Sequence, residues 1–381
     1  MVCFGSPELV PIKLGMITTS ALRVNRRTFL SNASQLLTAA SMLPSTSLIA
    51  AQLESPIECG QIGTAHPHAN GKMAAMQNLP ALCRVIGLAE PDAVRRASLA
   101  SSKTFGQIPL IDEETLLGNP SVRFVAVETA IENSTSTALR VLRAGKHVHL
   151  DKPGGFDHKA FSAMRLEAER RNLTLQMGYM LRYNPAFQLL FTAVKEHWLG
   201  EITEIDCSMG KLFEQSSRAQ FKSQPGGAMF EIAGHLIDVI VAVLGKPQSV
   251  QSFDTPTQSD QLSDNQLAVL TYPKATACVR TNFADPFGGP RRRFNVTGTE
   301  GTFEILPLES GRVNLSLTQA RGSYKKGSQS MQLEIPKGRY DAEFVDLTRV
   351  VRGEKQLEWN AAHDINVHET TMRAAGLRKQ S

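Results

Sequence analysis

The sequence predicts an α/β protein with a doubly wound parallel sheet in its first half and a second α/β domain built on a mostly antiparallel, open sheet. Short apolar runs alternate with helical patterns from residue 58 to about residue 180. This alternation is typical of a parallel sheet covered by helices on both faces. After residue 180 the strand-like runs follow one another almost without helices, which indicates antiparallel pairing. The chain has 381 residues, and domains of about 100–200 residues make two domains the natural division.

The elements of the first half follow in strict order along the chain. Gly145 ends one predicted helix, as glycine commonly does. The predicted strands are 58–63, 84–89, 124–127, 147–150 and 173–177, and the predicted helices are 69–79, 91–103, 133–144 and 158–171.

The second half begins near Gly178 without a flexible linker, so we expect domains at 52–177 and 178–381 with a cleft between them. One long apolar helix is predicted at 228–244, and helices return at 340–352 and 361–376. The predicted strands are 248–254, 265–272, 275–283, 292–298, 301–306, 312–318 and 330–335.

Residues 1–51 have the order of charges and apolar residues that is typical of an export signal. They carry a net charge of +3 out of +5 for the whole chain. Arg26 and Arg27 precede an apolar stretch at 36–43 that is shorter than the ~20 residues of a membrane span. The pair resembles a twin-arginine signal, which predicts an exported or periplasmic protein that folds in the cytoplasm first. A cytoplasmic protein with an N-terminal arm is the alternative, and an uncleaved signal anchor is another.

The remaining 330 residues carry a net charge of only +2, which argues against a nucleic-acid-binding surface. None of the five cysteines is paired at C-x-x-C spacing, so neither a zinc site nor a disulfide framework is indicated. Histidines at 66, 68, 147 and 149 have no acidic partner at ligand spacing in the sequence. We therefore predict no metal.

The turn between the first strand and its helix is a candidate dinucleotide-binding turn of the Rossmann type. It reads Gly63, Thr64, Ala65, His66, Pro67, His68. Glycines at the first, third and sixth positions of such a turn let the backbone approach a pyrophosphate at the helix N-terminus. Here alanine and histidine replace the second and third glycines, so an ordinary strand–helix turn is the alternative.

Glu90 ends the second predicted strand, where an acidic residue binds the adenosine ribose hydroxyls. A carboxylate there repels a 2′-phosphate, so NAD is favoured over NADP. Arg95 and Arg96 follow closely and keep NADP as the alternative.

Lys152 and the residues of the apolar helix are the candidate catalytic groups. Lys152 follows the predicted strand 147–150, at the edge where ligands bind parallel sheets. Glu231 and His235 are spaced i, i+4, so we expect them to share a helix face. A carboxylate beside an imidazole orients it and raises its basicity. A surface ion pair or a buried structural histidine is the alternative.

Four motifs in order resemble the glucose–fructose oxidoreductase/inositol dehydrogenase (Gfo/Idh/MocA) family. They are Ala144-Gly-Lys-His-Val with Asp151-Lys-Pro153, Arg182-Tyr-Asn-Pro185, Gly226-Gly to Asp238, and His363-Asp-Ile-Asn-Val-His-Glu369. The resemblance extends from Glu58 to Gly376.

The resemblance implies hydride transfer between a nicotinamide and a hydroxyl carbon of a sugar or cyclitol. It implies that Lys152 stabilises the developing alkoxide, that His235 is the base, and that Glu231 orients it or binds a neighbouring hydroxyl. Thr129 lies where the family contacts the cofactor. Arg182, Tyr183 and Asn184 are implied to line the substrate pocket. The open sheet is implied to be a dimer surface, so we expect a homo-oligomer.

Two other functions fit the same motifs. Relatives in the family use tightly held NAD to cleave glycosides without net oxidation. A non-catalytic protein that keeps the sugar pocket is the third hypothesis. Outside the cytoplasm no free NAD pool exists. If the protein is an exported oxidoreductase that transfers hydride, we therefore expect it to retain its cofactor.

Overall fold

Five parallel strands and their helices form the first half of the molecule. The computed structural model describes residues 55–222 and 224–378, so the predicted export signal at 1–51 lies outside the described residues. The sheet order is β2-β1-β3-β4-β5, all parallel. The strands are β1 (Ile57–Ile62), β2 (Cys83–Ala89), β3 (Phe124–Val127), β4 (His147–Leu150) and β5 (Leu175–Met177). The helices are α1 (Ala69–Asn78), α2 (Ala93–Ser98), α3 (Glu113–Gly118), α4 (Ile131–Arg143) and α5 (His158–Arg170).

An eight-stranded sheet forms the second half, in the order β13-β12-β11-β10-β6-β9-β8-β7. All its neighbours pair antiparallel except β6 and β9, which pair parallel. The strands are β6 (Ile202–Gly210), β7 (Ser249–Asp254), β8 (Asn265–Thr271), β9 (Thr276–Asn282), β10 (Arg293–Gly298), β11 (Gly301–Ile305), β12 (Arg312–Leu317) and β13 (Gly327–Gln332). The helices are α6 (Pro185–Lys195), α7 (Gln215–Phe221), α8 (Gly227–Ile232), α9 (Gly234–Leu244), α10 (Gly288–Arg291), α11 (Asp341–Val351) and α12 (Ala361–Ala374).

The fold class predicted from the sequence is confirmed by this architecture. All four residues of β3 are buried, as expected for a parallel strand covered on both faces. Strand β8 instead alternates buried and half-buried residues, which is typical of a sheet with one face on the core. The eight-stranded sheet is mixed rather than purely antiparallel because β6 pairs parallel with β9.

The single apolar helix predicted at 228–244 is in fact two helices, and this expectation is corrected. Helix α8 ends at Ile232, and α9 begins at Gly234 after a turn residue, Ala233. Glycine weakens a helix interior by about 1 kcal/mol relative to alanine, so the break falls where the helix is weakest. Glu231 and His235 therefore lie on opposite sides of the break.

Helix α12 packs across the molecule, against α5 of the first half and α9 of the second. Both halves belong to one compact unit that begins at Ser55. No helix among the described residues is long and apolar enough to cross a membrane.

Candidate functional site

The order of the parallel strands places a crevice between the carboxyl ends of β1 and β3. Chain connections leave these neighbouring strands in opposite directions, which is the topological switch point where open α/β sheets bind ligands. The turn after β1 begins at Gly63, residue Glu128 follows β3, and Asp151 and Lys152 follow β4. The sequence-predicted cofactor residues therefore converge on one edge of the sheet.

Gly63 lets the turn approach the end of β3 closely. Its φ is +85°, and a Cβ there would lie 2.8 to 2.9 Å from atoms of Thr129. Only glycine accepts both the backbone angle and the close contact. Thr129 is buried, and its hydroxyl has no hydrogen-bond partner among the described residues. The N-terminus of α1, which follows this turn, has no side-chain cap.

Glu90 lies at the end of β2 with 4% of its surface exposed. One carboxylate oxygen accepts a hydrogen bond of 2.5 Å from the Thr64 hydroxyl, and the other accepts one of 2.9 Å from the backbone N–H of Asp92. The carboxylate is thus fixed beside the turn. A turn that requires glycine, an uncapped helix N-terminus and a fixed carboxylate fit a nicotinamide dinucleotide.

Lys152 connects the crevice to the second half of the molecule. Its side chain is 2% exposed, and its ammonium donates a hydrogen bond to the backbone carbonyl of Glu231 in α8. The Glu231 carboxylate lies 3.6 Å away. A lysine fixed at the end of a parallel strand and held by a carboxylate of another element is a candidate electrostatic group for catalysis.

His235 is buried in the first turn of α9, with its ring edge-on to Tyr179 at a centroid distance of 6.0 Å. Burial and the nearby Lys152 hold the pKa of His235 well below its usual range. Its Nδ1 has no hydrogen-bond partner among the described residues. The predicted orientation of His235 by Glu231 is therefore not seen, because Glu231 contacts Lys152 instead. The imidazole is neutral, with one nitrogen unpaired.

A largely buried cluster of ionisable side chains, which the sequence reasoning missed, includes two histidines of the turn. We call it the crevice-floor cluster: His66, His68, Lys72, Glu128, Asp151 and Glu343. The Lys72 ammonium contacts Glu343 of α11 and lies 3.7 Å from Asp151. The histidines have no acidic partner at ligand spacing along the chain, but folding brings to them the carboxylates of Glu128, which follows β3, and Asp151, which follows β4. No sequence spacing signals these contacts, since the partners are 62 to 85 positions apart.

The ionisable groups of this cluster shift one another strongly. Burial raises the pKa of Glu128 to about 7, and repulsion by Asp151 adds to it. Burial also raises the pKa of Glu343 to about 7 and lowers that of His68 to about 4. For His66, burial opposes the charged form, but Asp151 and Glu128 outweigh it and raise the pKa.

The residues predicted to line a substrate pocket separate into two groups. Arg182 is fully buried, and its guanidinium binds Asp238 of α9 and Asp364 of α12 at 2.7 and 2.6 Å. This geometry favours a role in joining elements. Tyr183 and Asn184 instead line a cavity of about 240 Å³. The Tyr183 hydroxyl donates to Asp346 at 3.0 Å, and the Asn184 side chain caps α6.

Comparison with known proteins finds a family model that matches part of the second half. Residues 187–304 match the GFO/IDH/MocA C-terminal domain. Trans-1,2-dihydrobenzene-1,2-diol dehydrogenase of Sus scrofa is 26% identical over 196 residues, which are 51% of this chain and 57% of that enzyme. The Homo sapiens enzyme is 26% identical over 245 residues, 61% of this chain and 70% of that enzyme. The uncharacterized oxidoreductase YhhX of Escherichia coli (strain K12) is 28% identical over 212 residues, covering 54% of this chain and 59% of that protein.

Solved structures share the whole fold at low identity. Levoglucosan dehydrogenase in complex with NADH and levoglucosan aligns with a TM-score of 0.73 at 16% identity, over 85% of this chain and 97% of that one. The probable oxidoreductase yhhX aligns with a TM-score of 0.67 at 20% identity, over 85% and 98%. The second half is therefore similar to the GFO/IDH/MocA C-terminal domain, and the described chain shares its fold with oxidoreductases.

Proposed function

We propose that this protein is a nicotinamide-dependent oxidoreductase that acts on a hydroxyl carbon of a sugar or cyclitol. The observation that carries the proposal is the position of Lys152. It lies at the crevice of the first sheet and simultaneously contacts α8 of the second half through Glu231. The crevice residues and the helix pair that carries His235 therefore meet at one place, where a cofactor and a substrate could be held together.

Each group then has a definite task. When bound, a nicotinamide accepts a hydride from carbon or returns it. Lys152 stabilises the negative charge that develops on the substrate oxygen, which requires a cation held in place before the reaction. Glu231 balances the charge of Lys152 and fixes its ammonium. His235, kept neutral by burial, takes the hydroxyl proton on an unprotonated ring nitrogen.

The cofactor and substrate classes rest on the site and on relatives. Glu90 at the end of β2 favours NAD over NADP. The pig and human relatives are named dehydrogenases of a diol, and one structural neighbour holds NADH and levoglucosan. A hydroxyl-bearing ring is the common chemistry. Export through the signal at 1–51, a retained cofactor and self-association through the open sheet remain predictions from the sequence.

The test is a substitution at Lys152 with activity measured on a panel of polyols and sugars by nicotinamide absorbance. Lys152→Met keeps much of the side-chain volume and removes the charge. We expect kcat to fall about 10²- to 10³-fold, the usual effect of removing one electrostatic stabiliser. Mass spectrometry of small molecules released from the native protein identifies the cofactor in the same preparation.

Lys159→Met is the matched control, because Lys159 is an exposed lysine on α5 of the same half. It should leave kcat unchanged. Native protein that neither carries nor binds a nicotinamide nucleotide would refute the proposal, as would full activity in Lys152→Met.

A further inference from the structure

Lys211, directly after β6, is a half-buried lysine without an anionic partner. Its ammonium lies 4.6 Å from the ring centroid of Phe213 and 5.6 Å from that of Phe283. It forms no hydrogen bond or ion pair with any residue of the described ranges. Aromatic faces attract a cation but do not neutralise its charge. The ammonium is therefore held in place and remains free to bind an anion.

Two arginines continue the positive charge from Lys211 toward the cavity beside Tyr183. Arg292 donates from Nε to the carbonyl of Gly210 at 3.1 Å and from Nη1 to Glu309 Oε1 at 3.1 Å. Arg339 Nη2 lies 3.3 Å from the other oxygen of Glu309. One carboxylate therefore pairs with two guanidinium groups.

The charges of Lys211 and Arg339 lie within electrostatic reach of the groups proposed for catalysis. Burial lowers the pKa of Lys211, the charge of Glu231 opposes this shift, and that of Lys152 adds to it. Burial, Lys152 and, to a smaller extent, Arg339 lower the pKa of His235. The basic groups and the candidate catalytic groups thus belong to one site.

The charges at this end of the site do not balance. Four cations face two carboxylates: Lys152, Lys211, Arg292 and Arg339 against Glu231 and Glu309. Asp285, which lies beside Gly210, is already paired with Arg291 at 3.0 Å. A cleft lined by an excess of one sign of charge concentrates ligands of the opposite sign. The site therefore favours a ligand with one or two negative charges.

The position of these cations assigns the anion to the substrate rather than to the cofactor. Glu90, beside which the adenosine ribose is proposed to bind, ends β2 at one edge of the five-stranded sheet. Lys152 follows β4, which is three strands away from β2. Glu309 and Arg339 also line the cavity of about 240 Å³ beside Tyr183. The basic groups thus extend from Lys152 away from the adenosine end of the crevice.

We propose that Lys211, Arg292 and Arg339 form a subsite for an anionic group of the substrate, so that the sugar or cyclitol which reacts at Lys152 carries a carboxylate or a phosphate. The inference rests on the proposed function, because it names the substrate class of the same site. Arginine presents its donors in a fork that matches both anionic groups, and lysine adds a compact charge. Binding of the anion fixes the ring of the substrate relative to Lys152.

The test measures binding to the full-length chain by calorimetry, with D-glucose, D-glucuronate and D-glucose 6-phosphate as probes. The three probes share one ring and differ only in the group at carbon 6. We expect at least one anionic probe to bind about 10-fold more tightly than glucose, since hydrogen bonds to charged groups are the stronger ones. The probe that binds more tightly distinguishes a carboxylate from a phosphate.

Nicotinamide absorbance with the same probes separates this inference from the proposed function. Hydride transfer without a preference for an anionic probe would refute the subsite alone. A preference for an anionic probe in a protein that neither binds a nicotinamide nucleotide nor transfers hydride would refute the proposed function and support the anion subsite.

Lys211→Met keeps much of the side-chain volume and removes the charge, so the affinity ratio of the anionic probe to glucose should fall about 10-fold. Lys211→Arg keeps the charge and should retain the preference. Lys326→Met is the control, because Lys326 is an exposed lysine between β12 and β13. It should retain the wild-type ratio.

Circular dichroism checks that each variant folds. Arg339→Met, at an exposed position, provides the same comparison if Lys211→Met does not fold. Equal affinities of the wild type for the three probes would overturn the proposal. A preference for an anionic probe that persists undiminished in Lys211→Met and in Arg339→Met would overturn it as well.

Discussion

At the scale of single residues, the proposed preference for NAD over NADP rests on Glu90. Both of its carboxylate oxygens are held by short hydrogen bonds, from the Thr64 hydroxyl and the Asp92 backbone. The negative charge therefore occupies a fixed position beside the turn after β1. A 2′-phosphate placed there would meet this charge without room to move it away.

We expect Glu90→Ser to weaken NAD binding about 10-fold or more and to shift preference toward NADP. Hydrogen bonds to charged groups contribute about 1.5–3 kcal/mol, and the substitution also removes the repulsion of a 2′-phosphate. Calorimetric titration with each nucleotide measures both changes. Glu132→Ser, an exposed position in the first turn of α4, is the control. Unchanged NAD affinity in Glu90→Ser would contradict the assignment.

Residues of the candidate site differ in how visible they are in the sequence. Gly63, Glu90 and Lys152 stand at the ends of predicted strands, and the topology of parallel sheets brings such ends together. Glu343 and Lys72 give no such signal, because their contact joins α1 to α11 across 271 positions. Buried charge pairs of this kind can be predicted only when it is known which helices pack together.

At the scale of elements, α12 holds the two halves of the molecule together through contacts with α5 and α9. His363 of α12 contacts Asp238 of α9 at 2.9 Å, and Asp364 contacts both Arg182 and Arg165, the latter in α5. The same helix stacks His368 on Phe161 of α5 at a centroid distance of 4.2 Å. The motif that ends the sequence resemblance thus has a structural role.

We expect Asp238→Asn to lower the free energy of unfolding by about 3–5 kcal/mol. The substitution leaves the fully buried Arg182 with one carboxylate fewer, and an uncompensated buried charge has a cost of that size. Urea denaturation followed by circular dichroism measures it. Glu201→Gln removes one partner of the exposed pair with Lys274 and should change stability by about 0.5 kcal/mol or less. Equal effects of the two substitutions on the free energy of unfolding would argue against a stabilising role of the buried Arg182–Asp238 pair.

Two elements show why strand and helix patterns have limits. Strand β6 forms the centre of the eight-stranded sheet, yet it was not among the predicted strands, because Glu204 and Asp206 interrupt its apolar residues. The apolar run at 228–244 predicted one helix, whereas the structure has two helices that are separated by Ala233. Hydrophobicity shows that a segment is buried but does not show where its backbone turns.

At the scale of the whole molecule, buried neutral histidines make the free energy of unfolding depend on pH. Burial lowers the pKa of His368 to about 4 and that of His149 to about 3. The His368 ring donates from Nε2 to the carbonyl of Gly155 at 3.0 Å and faces His158. Because the unfolded chain binds protons near the ordinary histidine pKa of about 6.5, it binds more protons than the fold between that pH and 4.

The contribution of the neutral, buried histidines to the free energy of unfolding is therefore fully present above pH 6.5 and is lost as the pH falls toward 4. For His368 alone the loss at pH 5 is about 2 kcal/mol. Denaturation between pH 7 and pH 5 should therefore show a steep decline in the wild type and a shallower one in His368→Gln. Parallel pH dependences of the two proteins would contradict the shifted pKa. His197→Gln, an exposed histidine, should decline as the wild type does.

The sequence by itself determined the fold class, the positions of the crevice strands and the residues that end them. It could do so because the side-chain period of a strand or helix and the turns after parallel strands are local properties. Only the tertiary structure decided that Glu231 contacts Lys152 rather than His235 and that Arg182 joins three elements. It also decided that Asp151 and Glu128 meet His66 and His68. These contacts depend on which helices pack together and at what distance, a property of the folded whole that no spacing along the chain encodes.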